Sequence, residues 1–239
     1  MKTHYKRYFA SAVGTLAFLL LVSPGIARSE DGDREPIDKG PAKTLYIWAG
    51  DQARVTPDFL AVINFDEDSQ DYGKVITTVP VPPPGNIGNE PHHCHLSADK
   101  NILACGGLLS LLRGQNGIFF FDVSDARNPR FLSSANGSQS SITDDFLPLQ
   151  SGGFLVTQMG SHTGGTPGRV AEFDGHLHMV AEWPIHPPHH GFNPHGISAR
   201  PELNVMVTSD FMMPSSTLDT FQGDQIGRAS CRERVYVLV

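Results

Sequence analysis

Apolar residues along this chain fall in short runs bounded by turn residues, and no stretch sustains a helical period. Three segments share one cadence: an apolar run closing on Phe-Asp, a polar turn, then a second apolar run. They read FLAVINFDEDSQDYGKVITTV, GIFFFDVSDARNPRFLSS and GRVAEFDGHLHMVAEWP. Their aspartates, Asp66, Asp122 and Asp174, are spaced by 56 and 52 residues. Each segment predicts a β-hairpin. Another strand pair precedes the second and third hairpins, in HHCHLSADKNILACGG and DDFLPLQSGGFLVTQMG. NPHGISARPELNVMVTSDF opens a fourth unit, and the first unit shows only KTLYIWAG ahead of its hairpin.

Four antiparallel strands returning about every 50 residues are the pattern of β-propeller blades. The predicted fold is all-β, a fragment of about three and a half blades spanning 44–224. A β-sandwich would give less regular spacing and no repeated Phe-Asp hairpin. The 24 Gly and 18 Pro among 239 residues suit many tight turns between short strands.

Both termini are set apart from this pattern. Residues 1–27 read as a secretory signal peptide: Lys2, Lys6 and Arg7, an apolar run from Ala10 to Val22, then the small residues Gly25 and Ala27. That run is short for a membrane span, so no span is expected after cleavage. Residues 28–43 are polar and read as a flexible lead-in. At the other end, IGRASCRERV follows codon by codon from a common sequencing adapter. Residues 225–239 are therefore read as an adapter-derived scar, and the natural protein is expected to continue beyond 224.

The chain carries 18 basic and 25 acidic residues, a formal charge of −7. Setting aside both ends removes six of the basic residues and one of the acidic ones, leaving a charge near −12. That argues against a nucleic-acid partner, whose phosphates need a basic surface. An exported protein is periplasmic or secreted, an oxidising setting in which Cys94 and Cys105 can pair.

Candidate chemistry gathers at the starts of the inner strands. Laying HHCHLSADK, TDDFLPLQS and NPHGISARP in one register aligns Leu96 with Leu147 and Ile197. Cys94, Asp145 and His195 then share one channel position, and His92, His93 and Asp144 add donors at the strand entrance. Imidazole, thiolate and carboxylate converging from several blades suit a transition metal. His92, His95, His195 and Cys94 are the expected ligands, with Asp145, Asp210 and His93 behind them. Polar residues at such positions also serve simply to bind channel water. Cys94 has a further competitor: a turn centred on Asp99-Lys100 places it directly opposite Cys105, close enough for a disulfide. A disulfide, a free or metal-bound Cys94, and inert thiols all stay open at this point.

The remaining histidines read differently. His186, His189 and His190 lie in a Pro-rich connection and are expected in solvent, His176 and His178 on an outer hairpin, and His162 in a Gly-rich loop. That loop lacks the Lys-Ser/Thr of a phosphate-binding loop. No serine sits in a Gly-x-Ser-x-Gly elbow, and Asp144 and Asp145, being adjacent on a strand, make a poor acid–base pair.

PHHCHLSADKNILACGGLLSLLRGQNGIFFFDVSDARNPRF, ITDDFLPLQSGGFLVTQMG, GRVAEFD and GFNPHGISARPELNVMVTSDFMMPSSTLD together resemble the selenium-binding protein family, whose bacterial members include methanethiol oxidases. The likeness covers residues 44–222. It includes the Pro-His-x-x-His element at Pro91, His92 and His95, and the acidic Asp210 after NVMVT. The resemblance implies a seven-bladed propeller and an exported, copper-dependent oxidase. Such an enzyme turns methanethiol, a small thiol, and oxygen into formaldehyde, hydrogen sulfide and hydrogen peroxide. A Cys-Ser-Ser-Cys element typical of that family is absent, which puts covalent selenium chemistry at such an element in doubt. The family's later blades bring further histidines, so this fragment is expected to be inactive alone. The rival expectations are a non-catalytic selenium or metal binder and a protein-docking scaffold.

Overall fold

A computed structural model of the chain describes residues 43–188, 191–211, 214 and 235–238. The segments read as signal peptide and lead-in lie, up to residue 42, outside the described residues. The described strands form four antiparallel sheets. The first holds β1 (Thr44–Ala49), β2 (Phe59–Asn64) and β3 (Val75–Pro80). The second holds β4 (Pro91–Leu96), β5 (Ile102–Gly107), β6 (Ile118–Asp122) and β7 (Arg130–Ala135). The third holds β8 (Ser140–Pro148), β9 (Phe154–Ser161), β10 (Arg169–Phe173) and β11 (Met179–Trp183). The fourth holds β12 (Pro194–Arg200), β13 (Val205–Asp210) and β14 (Val235–Leu238). Each sheet follows chain order, and the first strands β4, β8 and β12 lie side by side. This is a partial β-propeller whose sheets do not close into a ring; β1 leaves Leu45 and Ile47 exposed.

The run Ile118-Phe119-Phe120-Phe121 explains the stacking. Successive strand residues point to opposite faces. Phe119 and Phe121 enter a core with Leu60, Leu103 and Cys105, shared with the first sheet. Ile118 and Phe120 enter a second core with Phe146, Phe154 and Phe173, shared with the third. A strand buried on both sides reads as an unbroken apolar run rather than an alternation. The Phe-Asp repeat has its own cause. Asp122 accepts the Ser124 amide at 2.9 Å, and Asp174 accepts the amides of His176 and His178, each at 2.9 Å. Asp66 accepts the Asp68 amide at 3.2 Å and the Lys43 ammonium at 2.9 Å. These carboxylates stitch the turns of the outer hairpins together.

One segment excluded from the predicted fold takes part in it. The backbone of Val235–Leu238, inside 225–239, pairs antiparallel with β13. A β-branched stretch meets an otherwise unpaired strand edge there, and edges attract such partners.

Candidate metal centre

Each inner strand begins with the same irregularity. Between the pairs Pro91↔Gly107 and Cys94↔Cys105, His92 and His93 face the single residue Gly106. Between Thr143↔Gln158 and Phe146↔Val156, Asp144 and Asp145 face Thr157. Between Pro194↔Asp210 and Ile197↔Thr208, His195 and Gly196 face Ser209. Two residues against one is a β-bulge, which re-aims side chains at a sheet rim. Two of the bulges are approached through left-handed backbone at non-glycine residues, Glu90 at φ 59° and the buried Ile142 at φ 65°. A β-branched residue in that region is an outlier that costs about 1–3 kcal/mol and persists only where its surroundings hold it.

The bulges bring His92, Asp144 and His195 together. The Asp144 carboxylate is fully buried. His92 Nε2 lies 2.8 Å from its Oδ1, His93 Nδ1 3.6 Å from the same oxygen, and His195 Nε2 3.3 Å from Oδ2. Apart from these imidazoles, no donor among the described residues reaches either oxygen. One ligand atom from each of His92, His93 and Asp144 falls within 4.8 Å of the other two. The His92 and His93 rings stack at 4.4 Å, and Phe211 stacks on His195 at 5.0 Å. The Asp144 carboxylate beside His92 raises the affinity of that imidazole for a proton, against the opposing effect of burial.

A buried carboxylate normally has its hydrogen bonds satisfied. Here the groups in reach are three imidazole nitrogens, which close on one carboxylate as ligands do around a shared cation. Imidazole and carboxylate are the donor set of first-row transition metals, copper among them. The residues present fit such a metal: His92, His93 and Asp144 have ligand atoms close enough to share it, and His195, 3.3 Å from the same carboxylate, stands beside them to complete the set.

The expected register is corrected by this geometry. Counting back from Leu96, Leu147 and Ile197 made Cys94, Asp145 and His195 equivalent. The bulges instead make His92, Asp144 and His195 equivalent, and Cys94 falls level with Phe146 and Ile197. The Pro-His dipeptides at 91–92 and 194–195 carried the true register. Cys94 is bonded to Cys105 across the hairpin, with Cα atoms 4.1 Å apart, so its sulfur is no thiolate ligand. His95 turns its Nδ1 to the Leu96 carbonyl at 2.8 Å and stands outside the cluster. His93, expected behind the ligands, is brought to their front. Asp145 binds backbone instead of an imidazole: it accepts the Phe146 amide at 2.8 Å and the Ile197 amide at 3.1 Å. Asp210 is buried and accepts the Asn193 amide two residues ahead of His195.

Among the other histidines, His162, His176, His178 and His186 are exposed; His189 and His190 lie outside the described residues. Phe211 and Thr157 escaped sequence reasoning, since nothing in the local pattern sets them apart from ordinary strand residues. Among the described residues no helix is long and apolar enough to cross a membrane.

Comparison with known proteins agrees with this architecture. The family described as 56kDa selenium binding protein matches residues 32–238, and the chain belongs to that family. It is 28% identical over 224 residues to a methanethiol oxidase from Hyphomicrobium sp, covering 86% of this chain and 48% of the relative. It is 28% identical over 225 residues to selenium-binding protein 2 from Mus musculus, covering 86% and 44%. The chain thus spans about half the length of the curated relatives it matches. Among solved structures, a hypothetical selenium-binding protein from Sulfolobus tokodaii superposes with a TM-score of 0.60 at 18% identity, covering 74% of this chain and 42% of the other. A protein from Lactobacillus plantarum gives a TM-score of 0.51 at 11% identity, covering 72% and 47%. At those identities the structures show likeness of fold alone.

Proposed function

We propose that this chain is part of an exported, periplasmic or secreted oxidase that uses copper to oxidise methanethiol or a similar small thiol. With oxygen and water the products are an aldehyde, hydrogen sulfide and hydrogen peroxide. The observation that carries the reading is the buried Asp144 carboxylate ringed by His92, His93 and His195. Copper, when bound, supplies one-electron redox chemistry and an affinity for thiolate sulfur. The residues do the rest. Asp144 contributes the negative charge that favours a cation in a buried setting. His92 and His195 approach it from neighbouring blades and fix the site between them. His93 has the most exposed ring of the three and is the one placed to exchange a proton with solvent. Phe211, flat against His195, offers an apolar wall to a substrate methyl group.

The relative named methanethiol oxidase favours turnover, and the relative named selenium-binding protein 2 favours a second reading, a selenium or metal binder without turnover. Full-length protein loaded with copper and supplied with methanethiol and oxygen separates them. Release of peroxide and sulfide supports the oxidase. Retention of copper without turnover supports the binder, and failure to retain copper after loading removes both metal readings.

A further inference from the structure

The residue facing each bulge differs among the three sheets. Gly106 offers no side chain, Ser209 accepts the Gly196 amide on Oγ at 2.9 Å, and Thr157 does more. Its hydroxyl accepts the Asp145 amide at 2.8 Å and donates to the His195 carbonyl at 2.6 Å in the next sheet. Asp145 completes the link by accepting the Ile197 amide at 3.1 Å. The bulge carrying Asp144 and the strand carrying His195 are therefore tied at two points, the His195 carbonyl and the Ile197 amide. Thr157 is fully buried, so no water replaces its hydroxyl without rearrangement. Both groups that Thr157 ties are main-chain atoms of the bulged residues themselves. A change at Thr157 thus reaches the ligands through their own backbone.

We infer that Thr157 is a positioning residue of the metal centre, a hydroxyl clamp that sets the spacing between Asp144 and His195 across the blade boundary. The inference rests on the metal reading above. Its logic is geometric: a bulge leaves the ladder locally broken, so its backbone must find partners elsewhere. In β8 that partner is Thr157, and the same oxygen holds the neighbouring ligand strand. Groups that orient ligands without touching the metal typically change affinity by about 10–100-fold when removed.

Thr157→Val keeps the shape and removes the hydroxyl, and Thr157→Ser restores the hydroxyl. Copper(II) titration of the 239-residue chain should show an affinity about 10-fold or more weaker for Thr157→Val, with an altered electron paramagnetic resonance spectrum. Thr157→Ser should return both toward wild type. A Thr157→Val variant with wild-type affinity and spectrum overturns the inference, as does a Thr157→Ser variant that fails to rescue. If Thr157→Val does not fold, Asp145→Ala, which leaves no acceptor for the Ile197 amide, tests the second tie in the same way; wild-type affinity and spectrum there also overturn it. A wild-type chain that binds no copper defeats the metal reading. Crystal structures of the metal-free proteins then decide the clamp: it requires the 3.3 Å approach of His195 to Asp144 to widen in Thr157→Val, and an unchanged approach overturns it.

Discussion

His195 Nε2 reaches within 3.3 Å of Asp144 Oδ2, although the two belong to different sheets. The contact exists because both residues occupy the first position of a bulge on neighbouring inner strands. His92 holds the same position one sheet earlier. Three blades therefore aim equivalent side chains at one point, and the predictions below follow from that arrangement.

Asp144 is fully buried, and the 2.8 Å approach of His92 offsets part of its lost solvation. The same contact raises the affinity of His92 for a proton, so it contributes stability that is present below about pH 6.5 and is lost as pH rises past the raised value. Asp144→Asn should therefore make the metal-free chain less stable in mild acid, the difference shrinking as pH rises. It should at the same time weaken copper binding by at least about tenfold. Urea denaturation at several pH values and calorimetric titration on the same preparations check the two halves.

The disulfide should matter for stability and leave metal binding alone. Cys94 and Cys105 close a loop of sequence separation 11, for which the chain-entropy account gives about 2–3 kcal/mol. Cys94→Ser/Cys105→Ser should lower the urea midpoint accordingly while copper affinity stays within about twofold, because neither sulfur touches the His–Asp cluster. Copper affinity that collapses with an unchanged midpoint would return Cys94 to the ligands.

Asp122 governs part of the acid limb of stability. Hydrogen bonds from the Ser124 hydroxyl and amide, and then the Arg130 guanidinium, lower its carboxyl to about 2. A lowered carboxyl contributes stability above its unfolded value, near 3.8, and loses it as pH falls through about 2. Asp122→Asn should therefore be less stable than wild type at neutral pH. The difference should shrink between pH 4 and 2, as thermal unfolding across that range measures.

Phe120 anchors the core between the second and third sheets, fully buried among Phe146, Phe154 and Phe173. Phe120→Ala should cost about 3–5 kcal/mol, read as a lowered denaturant midpoint.

Much of this was legible in the sequence, for particular reasons. The Phe-Asp hairpins announced the blades because turn carboxylates and apolar runs are local features. The pairing of Cys94 opposite Cys105 was legible because hairpin register follows from the turn between them. The ligand set was harder. Aligning the strands on Leu96, Leu147 and Ile197 put them out of step by two residues, one residue and none, and the bulges restore the shared position to His92, Asp144 and His195. His95 looked equivalent to His92 by residue type, but it turns its Nδ1 to the Leu96 carbonyl and away from Asp144. Thr157 was invisible because its role depends on which blade lies beside it. Residues 235–238 were set aside with a tail read as adapter-derived, a reading that has no bearing on whether their backbone pairs with β13.

The central claim is that copper sits among Asp144, His92, His93 and His195. X-ray absorption at the copper edge of the loaded chain tests it most directly, beside Asp144→Ala loaded identically. The account predicts a coordination sphere of nitrogen and oxygen with the scattering pattern of imidazole, and loss of that bound copper in Asp144→Ala. A sulfur ligand, or a spectrum unchanged by Asp144→Ala, would contradict it.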